Sequence, residues 1–387
     1  MALIGIDATA LATPACGGIG ASQYQTMRAL AELETPHRFV LYAARPPVVP
    51  FSGRPLELPW LVRLGSGALT RSNVLWMQTA VNGILAADRV DVFWGPRHLL
   101  PFRARGIGTV ATVHDFWHRH HPEQQPWPNR LANRVLIANV VARADVVVTP
   151  SAATAADVAR FGRVAPGRVR VVPWGVDAAV FRPLAAAPLA AALARLGVES
   201  PYLLSLDVFN PRKNFSAVLE AVSRLPQSTR RSLTVVGVGR PRRTAATADL
   251  AKRAEALGLR PRVRLLGDVS TEDLVALYSG ALAFIYASVY EGFGMPVLEA
   301  MACGCPVVTA DRSSLPEVAG GAALLVDPAS AAKLAEAIAR LASEPGERAR
   351  LVAAGSARVL DFTWRRTAEG MLDAFEQALA ARAGGVR

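Results

Sequence analysis

Few cysteines, few lysines and no long apolar run characterise this sequence of 387 residues. Three cysteines, Cys16, Cys303 and Cys305, are too few for a disulfide framework, and the close pair lacks the partner residues of a zinc site. No apolar run reaches the roughly 18 residues that span a bilayer. The N-terminus has no basic segment and reaches Asp7 early, so we predict a first strand there rather than a signal peptide. These absences favour a cytoplasmic protein.

Lysine is so scarce that arginine carries nearly all of the positive charge, and the formal net charge is +12. Residues 1–185 contain 19 arginines and 11 acidic residues, a balance of +8. A basic half favours polyanions or an anionic membrane surface as partners. No helix-turn-helix, RNA-binding or zinc-finger pattern accompanies it, so nucleic acid is not a predicted partner. Arginine usage set by genome composition is the alternative explanation.

Short apolar segments alternate with amphipathic ones along the whole chain. The predicted strands are Leu3–Ile6, Phe39–Tyr42, Val90–Trp94, Thr109–Val113, Val146–Thr149, Val169–Val172, Tyr202–Leu206, Leu233–Gly237, Val263–Leu266, Ala281–Ile285, Pro306–Thr309 and Ala323–Val326. The predicted helices are Ser22–Leu33, Asn73–Ala87, Arg130–Arg143, Ala152–Phe161, Phe215–Leu225, Ala246–Leu257, Thr271–Ser279, Pro296–Ala302, Ala331–Leu341 and Trp364–Ala381. Such alternation implies parallel sheets covered on both faces, here in two doubly wound domains. The proline-bounded segment Phe181–Pro201 is the predicted linker.

The most informative stretch surrounds two glutamates, Glu291 and Glu299, which lie eight residues apart. The apolar run Ala281–Ile285 predicts a buried strand before them. A glycine-rich turn begins at Glu291, and Pro296 then opens a helix, since its fixed φ suits the first helical turn. A strand, a glycine turn and a helix together make an anion site, because backbone N–H groups at the helix start face the turn.

This arrangement resembles the Glu-x7-Glu signature of retaining GT-B glycosyltransferases of family GT4. The first glutamate of that signature faces the donor sugar and the second binds the ribose hydroxyls, which implies these roles for Glu291 and Glu299. The residues between them that match the motif would line the donor site: Gly292, Phe293, Gly294 and Met295. A tight βα turn with a solvated glutamate is the plainer alternative.

Two motifs in the first half extend the resemblance. The cluster Gly17–Gly20 follows the first predicted strand and is similar to the family's first βα loop, which implies that Gly18 and Gly20 approach the donor diphosphate. Taken alone, the cluster is weak evidence and a plain turn is the alternative; its spacing does not fit a Gly-x-Gly-x-x-Gly dinucleotide fingerprint. His114, followed by Asp115, resembles the family's His-Asp, in which the histidine hydrogen-bonds the donor sugar near its 6-hydroxyl.

Three further histidines, His118, His120 and His121, follow closely. A metal site is one explanation, but their spacing does not bring all three together with a carboxylate. We expect a solvated loop that lines the acceptor side instead.

Arg212 and Lys213, within Pro-Arg-Lys-Asn, resemble the family's basic pair, which implies that they neutralise the leaving diphosphate. A guanidinium binds phosphate through a bidentate fork, and an ammonium adds a point charge. A helix-start loop with surface charges is the alternative. Asp207 stands where relatives usually have glycine, and its carboxylate would repel a diphosphate unless it points away or pairs with Arg212.

The resemblance covers nearly the whole chain and implies a GT-B fold, in which two doubly wound, Rossmann-like domains face each other across a cleft. Residues 1–182 would form the acceptor-side domain, residues 183–362 the nucleotide-sugar-binding domain, and residues 363–387 a C-terminal helix that crosses back to the first domain. The implied catalytic residues are His114, Glu291, Arg212 and Lys213.

The implied activity is retaining transfer of a hexose from a nucleotide sugar to a hydroxyl of a glycan or lipid-linked acceptor, in polysaccharide or glycoconjugate biosynthesis. Relatives with His-Asp and Pro-Arg-Lys-Asn often use GDP-mannose, which favours mannose. No Asp-x-Asp motif is present, so we expect neither a metal nor a cofactor beyond the donor substrate. Two other classes remain open: a sugar-nucleotide epimerase or glycoside phosphorylase on the same fold, and a non-enzymatic polyanion-binding scaffold.

Several arginines of the first half fall in one stretch beside the expected acceptor side: Arg97, Arg103, Arg105, Arg119, Arg130 and Arg134. We therefore expect the first domain to dock on anionic lipid, peripherally at the inner face of the membrane, or on an anionic acceptor. Scattered solvated arginines are the alternative.

Overall fold

The chain divides into two compact units. Unit 1 comprises Met1–Gly175 and Trp364–Arg387, and unit 2 comprises Val176–Thr363. The structure, a computed structural model, describes residues 1–13, 17–50, 52–66, 70, 72–97, 99–101, 106–124, 127–162, 164–241 and 244–383. The boundaries predicted at 182/183 and 362/363 lie close to the two places where the chain passes from one unit to the other.

Unit 1 is built on a parallel sheet. Its strands are β1 (Leu3–Asp7), β2 (Arg38–Ala43), β3 (Leu61–Leu64), β4 (Val92–Gly95), β5 (Gly108–Thr112), β6 (Val146–Thr149) and β7 (Val169–Val171). In the described part of the chain they lie in the order β3-β2-β1-β4-β5-β6-β7. Strand β3 is not among the predicted strands, because it lies at the exposed edge and lacks the burial pattern of the others. The strand order reverses between β1 and β4, and ligands of open α/β sheets bind beyond such reversals.

Helices cover both faces of this sheet. They are α1 (Gly17–Glu32), α2 (Asn73–Gln78), α3 (Ala80–Ala87), α4 (Trp117–His120), α5 (Trp127–Arg143), α6 (Ala152–Gly162) and the C-terminal helix (Trp364–Ala383). The helix predicted over residues 73–87 is interrupted at Thr79 and forms two helices. Successive residues of a strand point to opposite faces. Accordingly, Phe39 and Leu41 of β2 belong to one core, and Val40 and Tyr42 belong to the other.

The C-terminal helix belongs to the core of unit 1. Ala368, Met371, Phe375 and Ala378 recur at helical spacing, and all four are buried against the sheet. The Phe375 ring lies 5.9 Å from that of Trp94 in β4. This apolar stripe explains why the last segment of the chain packs with the first unit.

Unit 2 repeats the design. Its strands are β8 (Tyr202–Leu206), β9 (Thr234–Val238), β10 (Val263–Leu266), β11 (Ala283–Tyr286), β12 (Val307–Ala310) and β13 (Leu324–Val326), in the order β10-β9-β8-β11-β12-β13 among the described residues. Its helices are α7 (Ala186–Leu196), α8 (Phe215–Ser223), α9 (Gln227–Ser232), α10 (Thr244–Ala256), α11 (Thr271–Gly280), α12 (Met295–Ala302), α13 (Leu315–Ala319), α14 (Ala331–Ser343) and α15 (Pro345–Val359). The order reverses between β8 and β11.

The prediction that residues 181–201 form a linker is wrong, because α7 occupies the centre of this segment and belongs to unit 2. Alanine has the highest helix propensity, and Leu189, Leu193 and Leu196 recur at helical spacing, so the alanine-rich piece forms a helix. Gly197 ends it with φ of 63°, a left-handed conformation that favours glycine.

Helix α15 is also absent from the prediction. Its buried positions, Leu351, Gly355 and Val359, include a glycine, so its apolar signal is weak. A Cβ on Gly355 would lie 3.1 Å from the side chain of Met301, so this glycine allows close packing on α12.

Candidate active site

The carboxyl ends of β8 and β11 bring the predicted catalytic residues of unit 2 together. These two strands are parallel neighbours at the reversal of the sheet order. The 3₁₀ turn Pro211–Lys213 follows β8, and the segment with Glu291 follows β11. Open α/β sheets bind ligands at this position.

Glu291 is the centre of a buried hydrogen-bond cluster. Its Oε1 accepts hydrogen bonds from Lys213 Nζ at 2.5 Å, Ser288 Oγ at 2.6 Å and the Tyr286 hydroxyl at 2.9 Å. Lys213 Nζ also donates to the Tyr286 hydroxyl at 2.5 Å. Arg212 adds a second cation, with its guanidinium 3.7 Å from Glu291 Oε2. The site therefore joins a buried carboxylate to two cations.

The charges of this cluster keep Glu291 ionised. Burial raises the pKa of Glu291, but the charges of Lys213 and Arg212 outweigh it and bring the pKa to about 2. Burial lowers the pKa of Lys213, and the Glu291 carboxylate opposes that change. Burial and the same carboxylate raise the pKa of Tyr286 well above its ordinary value, so its phenol stays a neutral donor.

Strained backbone surrounds this cluster. Four non-glycine residues in the described part of the chain have positive φ, and three of them adjoin the cluster: Asp207, Asn214 and Ser313. Ser313 Oγ accepts a hydrogen bond from the Glu291 N–H at 2.9 Å. Such conformations persist where the surrounding structure holds them, commonly at ligand sites.

Asp207 has φ of 50°, a conformation that glycine adopts most easily and that aspartate tolerates. This explains physically why glycine suits the position. The Asp207 carboxylate accepts a hydrogen bond from Asn210 Nδ2 at 2.8 Å, and Asn210 Oδ1 accepts one from the backbone N–H of Arg212 at 3.2 Å. Asp207 is close enough to Lys213 to raise its pKa. The negative charge therefore remains beside the cationic pair.

Glycine is required where α12 begins. Gly294 has φ of 118°, and a Cβ there would lie 2.8 Å from a methyl carbon of Leu315. Ser314 Oγ donates to the carbonyl oxygens of Glu291 and Phe293 at 3.0 and 2.6 Å. Together these contacts hold the turn in front of the N-terminus of α12.

Glu299 lies in α12 and is half-buried. Its Oε2 accepts a hydrogen bond from the Tyr278 hydroxyl at 3.1 Å. Burial raises the pKa of Glu299 to about 7, although the Tyr278 hydrogen bond acts in the opposite direction. The carboxyl group therefore titrates near neutral pH.

The remaining predicted donor-binding residues of unit 2 differ in exposure. Gly292 and Gly294 are buried and Met295 is half-buried. The buried Phe293 ring lies 5.9 Å from that of Phe362 in an edge-on arrangement.

In unit 1, the predicted loop at Gly17–Gly20 is the first turn of α1, and the prediction of a helix start at Ser22 is wrong. Glycine costs a helix about 1 kcal/mol relative to alanine, which favours a loop in a sequence-based assignment. Gly18 is exposed and Gly20 is buried. Both lie where the helix has backbone N–H groups without intrahelical acceptors.

His114 is buried and follows β5. It therefore lies at the carboxyl ends of the parallel strands, where the order reverses between β1 and β4. Its Nε2 lies 2.5 Å from the carbonyl oxygen of Pro96. A carbonyl only accepts, so Nε2 carries the hydrogen and Nδ1 is an acceptor. Burial lowers the pKa of His114, which keeps the ring neutral at pH 7.

A small cavity beside His114 has a volume of about 10 Å³, room for about one water-sized group. Its walls include Gln23, Trp94, His114 and Trp174. His114 Nδ1 and Gln23 Oε1 are buried acceptors without a hydrogen-bond donor. The cavity is therefore suited to a hydroxyl or a water that donates hydrogen bonds.

The predicted solvated loop at His118, His120 and His121 is wrong for most of its length. His118 and His120 belong to α4, and His118 is buried beside Phe116. His120 Nε2 lies 2.9 Å from Asp157, and His121 Nδ1 lies 3.2 Å from Glu123. Across the described residues, no group of three or more potential ligands is placed to hold a metal ion.

The remaining predictions from the sequence concern the cysteines, the basic stretch and membrane-spanning helices. Cys303 and Cys305 are buried free thiols, whereas Cys16 lies outside the described residues. Arg103 and Arg105 of the basic stretch also lie outside them. No described helix is long and apolar enough to cross a bilayer.

The comparisons with known proteins agree with this architecture. The model of the family Glycosyl transferases group 1 matches residues 194–358, and that of Glycosyltransferase Family 4 matches residues 16–180. The MMP alpha-(1->4)-mannosyltransferase of Mycolicibacterium hassiacum is 32% identical over 295 residues, 73% of this chain and 68% of that protein. The chain belongs to glycosyltransferase family 4.

Two further relatives of this GT4 chain are informative. The O-antigen chain mannosyltransferase B of Escherichia coli is 36% identical over 176 residues, 45% of each chain, so the match spans about half the length of that relative. The solved structure of sucrose-phosphate synthase from Thermosynechococcus elongatus has a TM-score of 0.79 at 23% identity, over 98% of this chain and 100% of that chain. The fold of the GT4 chain is GT-B, with a Rossmann-like sheet in each unit.

Sequence reasoning did not identify the residues that hold Glu291 and His114. Tyr286 and Ser288 donate to Glu291, and Gln23 and Trp174 line the cavity at His114. The available signal was position, since Tyr286 ends β11 and Ser288 lies two residues after it. Gln23 has no comparable signal, because it lies inside α1.

Proposed function

We propose that this GT4 protein is a retaining hexosyltransferase that transfers mannose from GDP-mannose to a hydroxyl of a glycan or lipid-linked acceptor, in polysaccharide or glycoconjugate biosynthesis. Two of the relatives described above are named mannosyltransferases, which supports mannose as the sugar. The observation that carries the proposal is the cluster of Lys213, Arg212 and Glu291 at the reversal of the unit 2 sheet.

The cationic pair is suited to a diphosphate leaving group. Arg212 is the more exposed of the two cations, with 20% of its side chain accessible against 9% for Lys213. In the proposal, Arg212 meets the phosphate oxygens through its planar fork, and Lys213 supplies a point charge. Fixed positive groups at a site of developing negative charge lower the barrier without reorganising during the reaction. The N-terminus of α12 adds its partial positive charge.

Retention is proposed from how Glu291 is engaged. Retaining glycosidases use a carboxylate nucleophile about 5 Å from a second carboxyl group. Three donors and a guanidinium surround the Glu291 carboxylate, which suits positioning better than nucleophilic attack. In the proposed front-face reaction, the bond from the sugar C1 to the phosphate oxygen breaks while C1 bonds to the acceptor oxygen on the same face. The acceptor proton passes to the departing phosphate oxygen.

We also propose that transfer requires no divalent metal, because Arg212 and Lys213 supply positive charge at the diphosphate. Turnover should persist after dialysis against EDTA, measured as nucleotide release with and without added Mg²⁺ or Mn²⁺. Loss of turnover in EDTA and its recovery with either ion would contradict this part of the proposal.

The donor is tested with a panel of GDP- and UDP-sugars, first by thermal shift and then by nucleotide release. We expect stabilisation by GDP-mannose, slow release of GDP from it, and loss of release in Lys213→Ala. With a hydroxyl acceptor found by screening, NMR of the product should show the donor's anomeric configuration. Stabilisation by no nucleotide sugar would reject the proposal, and phosphate-dependent product formation would indicate a phosphorylase.

A further inference from the structure

Helix α5 carries an apolar stripe on its exposed side. Trp127, Leu131 and Val135 are spaced four residues apart and are 65%, 47% and 58% exposed. Ala138 and Ala142 are exposed as well. At about 100° per residue, these five positions fall within roughly 80° of arc around the helix. The exposed apolar residues therefore form one continuous stripe.

The opposite side of α5 is already used by the fold. Ile137, Val140 and Val141 are buried in the core of unit 1. An ordinary surface helix has polar residues opposite its buried face. The stripe on α5 therefore serves a purpose other than packing within unit 1.

The charged residues of α5 are all arginines. Arg130 and Arg134 lie along one side of the stripe at helical spacing, Arg143 lies towards the other side, and α5 contains no acidic residue. The acidic residues of the adjoining segments are engaged: Glu123 by His121 and Asp157 by His120. The surface thus combines an exposed tryptophan, aliphatic side chains and arginines on a helix without acidic residues.

We propose that this stripe docks unit 1 on an anionic phospholipid bilayer, with α5 lying in the plane of the membrane surface. Tryptophan favours the headgroup region because it has a large apolar ring and one polar N–H. Arginines beside an apolar face attract anionic headgroups, and the aliphatic residues enter the acyl boundary. This surface places a transferase of lipid-linked acceptors where such acceptors occur, but binding itself does not depend on the proposed reaction.

The test is flotation of the full-length protein with vesicles of phosphatidylcholine alone and with phosphatidylglycerol added. We expect binding to the anionic vesicles only, weakened by salt, which screens surface charges. The triple variant W127S/L131S/V135S, whose net charge is unchanged, should lose at least about tenfold in partitioning. R130Q/R134Q should lose about tenfold or more, since each arginine near an anionic leaflet contributes substantially.

Matched controls come from unit 2. Val180, Leu325 and Leu360 are apolar side chains that are 41%, 41% and 71% exposed, so V180S/L325S/L360S repeats the three apolar-to-serine changes elsewhere. Arg231 and Arg260 are exposed, so R231Q/R260Q removes the same charge from another surface. Both controls should bind as the wild type does. Quenching of tryptophan fluorescence by brominated acyl chains should occur in the wild type and fall in W127F.

Three results would overturn the proposal. One is equal absence of binding to neutral and anionic vesicles at low salt. Another is equal weakening by R130Q/R134Q and R231Q/R260Q, which would show that total charge and not α5 attracts the protein. The third is self-association of the wild type that the serine variant abolishes, without vesicle binding, which would assign the stripe to contact with a second copy of the chain.

Discussion

Lys213 and Glu291 form a hydrogen-bonded ion pair of 2.5 Å between side chains that are only 9% and 8% exposed. They follow different strands, β8 and β11, which the chain brings together after two intervening strands. Removing two charges from water is costly, so a buried pair stabilises a fold only if its geometry and further hydrogen bonds are good. Tyr286 and Ser288 supply those further bonds here.

Removing either partner should destabilise unit 2 strongly. We expect Lys213→Met and Glu291→Gln each to lower the free energy of unfolding by about 2–4 kcal/mol, because each leaves a buried charge without its hydrogen-bonded ion-pair partner. The double variant should lose less than the sum of the two, by at least about 1 kcal/mol. Urea denaturation at pH 7 measures all four proteins of the cycle.

The exposed pair Arg340–Glu344, 3.6 Å apart, is the control for that cycle. Its coupling energy should be about 0.5 kcal/mol or less, as for other surface pairs. If the losses at Lys213 and Glu291 simply add, the two side chains do not act as one unit.

Strands were the most predictable part of the fold. The ends of β6 and β8 coincide with their predictions, because a buried strand is a short, mostly apolar run between polar segments. Those of β10 coincide as well, although it is an edge strand whose Arg264 is exposed. Helix starts were less predictable. The glycines at the start of α1 disfavour a helix locally, yet they form its first turn because tertiary context outweighs propensity.

The candidate site was predictable as a set of motifs and not as a network. The spacing of Glu291 and Glu299 is visible in the sequence, and so is the basic pair after β8. Which side chains meet depends on strand order, and a sequence does not state that β8 and β11 are neighbours. The hydrogen bonds from Tyr286 and Ser288 to Glu291 could therefore not be derived beforehand.

Glu299 should control nucleotide affinity. A hydrogen bond to a charged group contributes about 1.5–3 kcal/mol, so Glu299→Ala should weaken binding of the preferred nucleotide at least about tenfold if its carboxylate accepts the ribose hydroxyls. Calorimetry at pH 8 measures the loss. Glu317→Ala is the control, since it removes a glutamate from α13 of the same unit. Equal affinities for wild type and Glu299→Ala would reject the assignment.

The same carboxyl group should make affinity depend on pH. Its pKa is about 7, so the carboxylate that binds hydroxyls is lost as pH falls below 7. The affinity for a nucleotide sugar should fall with it, whereas Glu299→Gln should show no such change. The free energy of unfolding changes with pH in the opposite direction. Because the folded protein holds this proton up to about pH 7 and an unfolded glutamate releases it near 4.5, the free energy of unfolding falls as pH rises between these values.

Asp207→Asn should tighten diphosphate binding by about threefold to tenfold. This is the effect expected when one negative charge is removed from beside a negatively charged ligand at a partly exposed site. Asparagine tolerates positive φ and can still accept the hydrogen bond from Asn210, so the turn should be preserved. Titration with GDP and UDP at low and high salt measures the gain, which should shrink at high salt. Asp249→Asn, an exposed position on α10, changes the net charge equally and serves as control. Affinity that stays unchanged or weakens would show that the Asp207 charge does not reach the phosphates.

His114→Ala should lower turnover more than it lowers stability. Its neutral Nδ1 is a buried acceptor without a donor, and the residue lines a water-sized cavity, which suits a hydrogen bond from a sugar hydroxyl. Losing an interaction made in the transition state should reduce kcat at saturating donor by about tenfold, the equivalent of 1.4 kcal/mol.

His37 provides the matched control: its side chain is 8% exposed, and it precedes β2, at the end of the same sheet where the strands begin. His37→Ala should lose comparable stability in urea but keep the wild-type rate. If both variants lose rate only in proportion to stability, His114 has a structural role, and the hydroxyl in the cavity belongs to water.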